Sequence, residues 1–319
     1  METTAHMSRL SVIVPCFNEE QVLQSTHERL SRTLAGLDVN YEIVYVDDGS
    51  TDQTNAILRR LHQQDEHVRV LAFSRNFGHQ VAVTAGVDNA SGDAVVLIDA
   101  DLQDPPELIA EMVARWRDGF NVVYGLRTDR EGETAFKIWT ARLFYRFINV
   151  LSEVAIPLDT GDFRLMDRQV IEALRRMPER DRFVRGMVSW LGFRQVALPY
   201  RRAARTAGQT KYPLRKMVHL ALDGILSFSV LPLRLATYVG LLSFAAGILA
   251  GLFSIARLLI GQPAAPWTGV LIMVLLLGGL QLVCTGIIGE YLGRTYMESK
   301  RRPLYILKDR LGFAARSRP

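Results

Sequence analysis

The sequence predicts an α/β fold with a mainly parallel sheet, followed by interfacial helices and two transmembrane helices. Three observations lead to this prediction. Short apolar runs alternate with helix-like segments up to residue 124, polar residues follow the apolar runs, and two long uncharged stretches lie in the last third of the chain. Alternating strands and helices are typical of a parallel sheet covered on both faces.

The predicted elements of the first part of the chain follow one another in strict alternation. Apolar runs that predict strands lie at residues 10–15, 41–46, 68–73, 94–98 and 122–124. Segments with helical periodicity lie at residues 19–35, 52–64, 79–90 and 105–116. Pro105 and Pro106 suit the first turn of the last of these helices. No G-x-G-x-x-G motif follows the first strand, so the usual dinucleotide fingerprint is absent.

Two stretches of the last third contain no charged residue, at residues 235–256 and 267–289. Each has the roughly 20 residues that a membrane-spanning helix needs. Basic residues flank the pair on the outer sides, whereas the connector at residues 261–266 is uncharged, so the positive-inside rule predicts an inner-membrane protein with both termini in the cytosol. A buried helical hairpin is the alternative.

Two further segments are amphipathic and basic, at residues 134–150 and 213–229. Such segments are typical of helices that lie on a membrane surface, although the first could also be a core-facing helix with a solvated face. We therefore expect a cytosolic catalytic domain at residues 1–212, an interfacial helix at 213–230, a membrane anchor at 231–293 and a cytosolic tail at 294–319.

The charge of the chain is weakly basic and evenly spread. Its 319 residues carry a formal net charge of +5. Lys and Arg form no nucleic-acid-binding arm, so we expect phosphorylated substrates and a lipid bilayer as partners, and no nucleic acid. Cys16 and Cys284 lie far apart and predict neither a disulfide framework nor a metal site. The first nine residues lack the apolar stretch of a secretory signal.

Acidic residues follow two of the predicted strands. Asp99 and Asp101 stand two apart at the end of the fourth strand, with the small Ala100 between them, so an extended backbone aims both carboxylates the same way. Mg²⁺ and Mn²⁺ prefer such oxygen ligands and complete their shell with substrate phosphates. A pair of turn carboxylates before a helix is the alternative. Asp48 follows the second strand and could accept hydrogen bonds from a base or ribose.

Several motifs together resemble a known family. They are SVIVPCFNEE at residues 11–20, DDGS at 47–50, SRNFG at 74–78 and DADLQDPP at 99–106. In this order they resemble the inverting family 2 glycosyltransferases of the dolichol-phosphate mannose synthase type, which have a GT-A-like nucleotide-sugar-binding domain. The segment GDFRLMD at 161–167 and the two-span anchor look most similar to bacterial bactoprenol (undecaprenyl-phosphate) glucosyltransferases.

The resemblance implies a role for residues throughout the first domain. Those expected to surround the nucleoside are Pro15, Phe17, Glu19, Val46 and Asp48. Asp99, Ala100 and Asp101 would contact the diphosphate, with Asp99, Asp101 and Gln103 as ligands of Mg²⁺ or Mn²⁺. Arg127 matches an arginine of the family, and Arg205 and Lys211 would hold the leaving diphosphate. Without the resemblance, Arg205 and Lys211 would be read as solvated cations.

The expected acceptor is a polyprenyl phosphate. Its phosphate carries about −1.5 to −2 charges at neutral pH, so an oxygen nucleophile exists without a strong general base. Asp162 would orient the acceptor and Arg164 would pair with its phosphate, although they could equally be a turn residue and a structural ion-pair partner. Lys137 and Thr140 are further candidate phosphate ligands.

Other functions are compatible with parts of this pattern. A processive polysaccharide synthase would need a Q-x-x-R-W motif, and Met112 stands where its Gln is required. An inactive membrane scaffold could keep the fold, but the complete set of acidic and basic site residues argues against it. We expect transfer of a single sugar, with UDP-glucose as the first candidate donor, a UDP-amino sugar or GDP-mannose as alternatives, and a homo-oligomeric assembly.

Overall fold

The computed structural model describes residues 9–128, 160–201 and 268–314, with isolated residues between 238 and 260. The described residues up to 201 and from 302 onwards form one compact unit, and those from 238 to 301 belong to a second.

The first unit alternates strands and helices as the sequence predicts. In chain order its elements are β1 (Arg9–Cys16), α1 (Leu23–Ala35), β2 (Asn40–Asp47), α2 (Thr54–Gln64), β3 (Val68–Phe73), α3 (His79–Asn89), β4 (Ala94–Leu97), α4 (Leu108–Arg117), β5 (Val122–Arg127), β6 (Thr160–Asp167), α5 (Arg168–Arg176), α6 (Val184–Trp190), β7 (Gln195–Tyr200) and β8 (Leu307–Leu311). The second unit contributes α7 (Thr268–Ser299), which precedes β8 in the chain.

The described strands form one eight-stranded sheet in the order β7-β5-β6-β4-β1-β2-β3-β8. β1 is parallel to β2 and β4, β2 is parallel to β3, and β5 is parallel to β7. All four residues of β4 are buried, as expected for a strand with helices on both faces of the sheet. The predicted α/β fold with a mainly parallel sheet is confirmed.

β6 is a central strand that the sequence analysis did not predict. It lies between β4 and β5 and is antiparallel to both. Leu97 pairs with Arg164, the last pair of the two strands; Asp99 lies two residues past Leu97, and Asp162 lies two residues before Arg164. The strand therefore brings the GDFR segment to the edge of the sheet where β4 ends.

The chain after α7 also differs from the expected tail. Its helix continues to Ser299, and Leu307–Leu311 then pairs antiparallel with β3 as an edge strand. Tyr305 stacks on Phe73 with ring centroids 5.2 Å apart, and its hydroxyl donates to Asp88 Oδ2 at 3.1 Å. The end of the chain is thus part of the first unit.

The prediction of a multi-pass inner-membrane protein is wrong. No helix among the described residues is both long and apolar enough to cross a membrane, which takes roughly 20 predominantly apolar residues. The second predicted span overlaps α7. The first span falls largely outside the described residues, as do the segments at 134–150 and 213–229.

Candidate active site

Polar side chains converge at one edge of the sheet, where β2 and β4 end and β6 begins. Asp48 directly follows β2, Asp99 lies two residues past β4, and Asp162 is the third residue of β6. Because β6 runs antiparallel to β4, its first residues lie at the edge where β4 ends. In sheets of this kind, ligands bind beyond the carboxyl ends of the parallel strands.

A tight turn after β4 carries the residues predicted to bind metal and diphosphate. Ala100 is buried, and its carbonyl accepts a hydrogen bond from Thr26 Oγ1 at 2.6 Å. Asp101 Oδ1 accepts the amide of Gln103 at 3.1 Å, and Leu102 between them has a φ of 57°. The turn is therefore fixed by hydrogen bonds on both sides of Asp101.

Gln103 supplies a buried oxygen atom in this turn. Its side chain is buried, and its Oε1 atom accepts no hydrogen bond from the residues that the structure describes. A buried carbonyl oxygen without a partner is costly unless a ligand supplies one. Together with Asp99 and Asp101 it offers only oxygen donors, which suits Mg²⁺ or Mn²⁺. The described residues contain no group of three or more His, Cys, Asp or Glu side chains that could hold a metal ion.

Asp162 is held from several sides. His79 Nε2 lies 3.1 Å from Asp162 Oδ2, and Gln80 Nε2 donates to the same oxygen at 3.2 Å. Arg185 Nε lies 2.9 Å from Asp162 Oδ1. His79 Nε2 is also 3.7 Å from Asp99 Oδ1, so one imidazole contacts both carboxylates.

The charged groups of this cluster shift one another's pKa values. Burial alone would lower the pKa of His79, but the hydrogen bond to Asp162 and the negative charge of Asp99 raise that pKa to about 9. Burial raises the pKa of Asp99 to about 6, although His79 opposes the change. Burial would also raise the pKa of Asp162, yet Arg185 and His79 hold it well below its usual range. At neutral pH, Asp162 is therefore an ionised carboxylate between two cations.

Arg164 does not reach out of the sheet. Only 4% of the residue is exposed, and its guanidinium donates to the carbonyl oxygens of Gly161 at 3.1 Å and Asp162 at 3.3 Å. Burial lowers its pKa to about 10, so it stays charged at neutral pH. Its observed contacts brace the backbone of β6.

Asp48 is engaged by the loop that leads into α3. Its carboxylate accepts the amides of Phe77 at 2.7 Å and Gly78 at 3.0 Å, and burial raises its pKa while these amides oppose the rise. The structure thus places Asp48 at the predicted strand end, where it fixes the start of α3.

The segment after β1 lies against the same loop region. Pro15 pairs with Val46 across β1 and β2, and both residues are buried. Phe17 is partly exposed, and the amide of Glu19 donates to Thr54 Oγ1 at 2.9 Å. Phe17 and Glu19 therefore keep exposed surface just past the end of β1.

Arg127 belongs to a separate cluster, which it forms with Tyr200 and Asp104. Its Nε donates to Tyr200 Oη at 3.3 Å, and its Nη2 lies 3.8 Å from Asp104 Oδ1. Tyr200 donates its hydroxyl hydrogen to Asp104, which is fully buried. Burial tends to lower the pKa of Arg127, but Asp104 raises it overall.

Four predicted site residues lie outside the described residues: Lys137, Thr140, Arg205 and Lys211. Three residues that contact Asp162 were not predicted, namely His79, Gln80 and Arg185. The sequence offered one weak signal for the first two, since they directly follow the SRNFG motif. Arg185 lies in an unremarkable helix and becomes relevant only in the folded chain.

Comparison with known proteins identifies the family. The sequence profile of glycosyl transferase family 2 matches residues 11–175, slightly more than half of the chain. The chain belongs to glycosyl transferase family 2. This glycosyltransferase is 48% identical over 303 residues to the uncharacterized glycosyltransferase YkcC of Bacillus subtilis (strain 168), covering 95% of this chain and 94% of the relative.

Other relatives carry more specific names. The chain is 42% identical over 302 residues to the bactoprenol glucosyl transferase of Shigella phage SfV, covering 94% of this chain and 98% of the relative. Among solved structures, glucosyl-3-phosphoglycerate synthase from Mycobacterium tuberculosis, in complex with Mn²⁺, UDP-glucose and phosphoglyceric acid, matches with a TM-score of 0.47 at 22% identity. That match covers 70% of this chain and 79% of the synthase. The predicted family membership and glycosyltransferase activity are confirmed.

Proposed function

We propose that this glycosyltransferase transfers one sugar, glucose from UDP-glucose, with inversion onto a polyprenyl phosphate. Relatives named bactoprenol glucosyl transferases, which align with nearly the whole chain, support the acceptor and the sugar. The observation that carries the proposal is the juxtaposition of Asp99 and Asp162, joined by His79 at one strand edge. The product would be a polyprenyl-phosphate sugar used for a cell-envelope glycan or for lipid modification.

The two sides of this cluster suit the two substrates. The turn carrying Asp99, Asp101 and Gln103 would hold the donor diphosphate through Mg²⁺ or Mn²⁺, which supplies a Lewis acid for the leaving group. Arg205 and Lys211 would add cations beside the same diphosphate. Fixed positive charges stabilise the charge that gathers on a leaving diphosphate more strongly in the transition state than in the ground state.

Asp162 would face the acceptor. A phosphate monoester carries its own nucleophilic oxygen, so the reaction does not need a strong base. The lowered pKa of Asp162 makes it a weak proton acceptor, and general bases work best with a pKa near the working pH. Its role in this mechanism is to orient the acceptor and the neighbouring cations, while Lys137 and Thr140 are the candidate partners of the phosphate.

The proposal is tested by lipid labelling. Purified protein is incubated with undecaprenyl phosphate, Mg²⁺ or Mn²⁺ and a panel of labelled UDP-glucose, UDP-N-acetylglucosamine and GDP-mannose, and label is counted in the organic phase. We expect label from UDP-glucose, with loss of transfer on chelation of the metal. Label from another donor alone would revise the sugar, and no lipid-borne label from any donor would refute the proposal.

Asp101→Asn tests the metal assignment. Removing one carboxylate charge from the turn should reduce transfer at least ~100-fold, in line with the loss of one transition-state stabilising group. Asp118→Asn is the matched control because Asp118 is exposed at the end of α4, away from the site. Retained activity in Asp101→Asn would remove Asp101 from the metal site.

A further inference from the structure

We propose that His79 is a positioning residue, which holds the donor-side Asp99 and the acceptor-side Asp162 in a fixed relation. The inference rests on the proposed function for the meaning of the two sides. Its geometric basis is the single imidazole nitrogen, Nε2, that lies 3.1 Å from Asp162 Oδ2 and 3.7 Å from Asp99 Oδ1. Among the residues that the structure describes, His79 is the one basic side chain that forms an ion pair with Asp99.

Asp99 and Asp162 approach each other where β4 ends. The last pair that β4 and β6 form is Leu97 with Arg164; Asp99 lies two residues past Leu97, and Asp162 lies two residues before Arg164. Two carboxylates placed this close repel each other when both are ionised. The imidazole of His79 contacts both of them and so fixes their relation.

His79 is itself firmly placed. It is the first residue of α3, and the amides of Phe77 and Gly78 directly before it donate to the buried carboxylate of Asp48. About a third of the His79 side chain, 34%, is exposed, so the imidazole borders the open part of the site.

The neighbouring contacts hold Asp162 without linking it to Asp99. Gln80 donates to Asp162 Oδ2 and accepts the amide of Val184 at 3.0 Å, which ties α3 to α6. Arg185 contacts the other carboxylate oxygen and donates to the carbonyl of Thr160 at 2.8 Å. Loss of His79 would therefore leave Asp162 in place but remove the contact that fixes its position relative to Asp99.

Steady-state kinetics of His79 variants test the role. We expect His79→Ala to lower kcat by ~100-fold, the scale of a misplacement of about 1 Å in a reacting site, while the donor KM changes less than ~3-fold. His79→Gln and His79→Lys should each recover part of the kcat lost in His79→Ala, because each returns a side-chain hydrogen-bond donor for Asp162. His67→Ala is the control, since His67 directly precedes β3 and its side chain is 39% exposed.

Unfolding measurements test the contact independently of activity. His79→Ala should lower the thermal midpoint of the wild type by more than it lowers the midpoint of an Asp162→Asn background, because the second background has already lost the charge that His79 meets. Equal shifts in both backgrounds would overturn the proposal, as would a kcat of His79→Ala within ~3-fold of wild type. A wild type that labels no lipid would refute the proposed function, and the midpoint comparison would still decide whether His79 couples to Asp162.

Discussion

Gly49→Ala provides a sharp test of how the donor side is built. Gly49 follows Asp48 in the turn after β2 and has a φ of 68°, in the left-handed region that favours glycine. A Cβ atom at this position would lie 2.3 Å from the carbonyl carbon of Arg75 and 2.6 Å from the amide nitrogen of Asn76. Both are backbone atoms, so relief requires the loop itself to move by about 1 Å to reach ordinary contact distance.

The cost can be worked from these contacts. The left-handed conformation of an alanine costs about 1–2 kcal/mol. Moving the loop also weakens the hydrogen bonds from Phe77 and Gly78 to Asp48, and bonds to a charged group are worth about 1.5 kcal/mol or more each. We expect Gly49→Ala to lower the free energy of unfolding by about 4 kcal/mol. It should also reduce turnover, since the displaced loop leads directly into His79.

Gly192→Ala is the matched control for this experiment. Gly192 has nearly the same conformation, with a φ of 69°, and no described atom lies within 4 Å of a Cβ placed there. The Gly192→Ala variant therefore has only the conformational cost, and its free energy of unfolding should fall by about 1–2 kcal/mol. Urea unfolding of both variants measures the difference. If the two variants lose the same stability to within about 1 kcal/mol, the close approach of the two loops is not the reason for glycine at position 49.

Two further predictions concern stability. Arg69→Met removes the ion-pair partner, at 2.8 Å, of Glu42, which is 1% exposed, and should cost about 3–5 kcal/mol by urea unfolding; a loss below about 1 kcal/mol would contradict this. Tyr305→Ala removes the ring stacked on Phe73 and the hydroxyl bond to Asp88, and should lower the thermal midpoint by several degrees, whereas Tyr305→Phe should recover most of that loss. Equal midpoints for the two variants would show that stacking contributes little.

The core strands were predictable because they carry their own signal. β1 to β4 are mostly apolar and are bounded by polar turns, with Ser11, Glu42 and Arg69 as the polar residues inside them, and this pattern is typical of strands buried on both faces. β6 lacks such a run, since Gly161, Asp162 and Arg164 interrupt it, and its place between β4 and β5 depends on pairing partners distant in sequence. Hydrophobic periodicity indicates whether each residue is buried, but it cannot show which distant segment a strand pairs with.

The candidate site was predictable from the sequence only where its residues lie close together in the chain. Asp99, Asp101 and Gln103 stand out because they cluster in sequence at a strand end, and the structure places them in one turn. His79 and Arg185 come from α3 and α6, and only the tertiary fold brings them to Asp162. The roles of the predicted residues stay predictions until the labelling experiment is done.

The position of β8 has a consequence for synthesis of the chain. Val70 of β3 pairs with Leu311 of β8. On this side, β3 therefore gains its partner only after every other described strand has been synthesised. Until then, β3 presents unpaired amides and carbonyls, and exposed strand edges of this kind promote association between nascent chains. A premature stop that removes only the last strand would leave the residues around Asp99 and Asp162 in the product and still expose this edge. Loss of the chain's final residues is therefore expected to appear as poor solubility before it appears as altered chemistry.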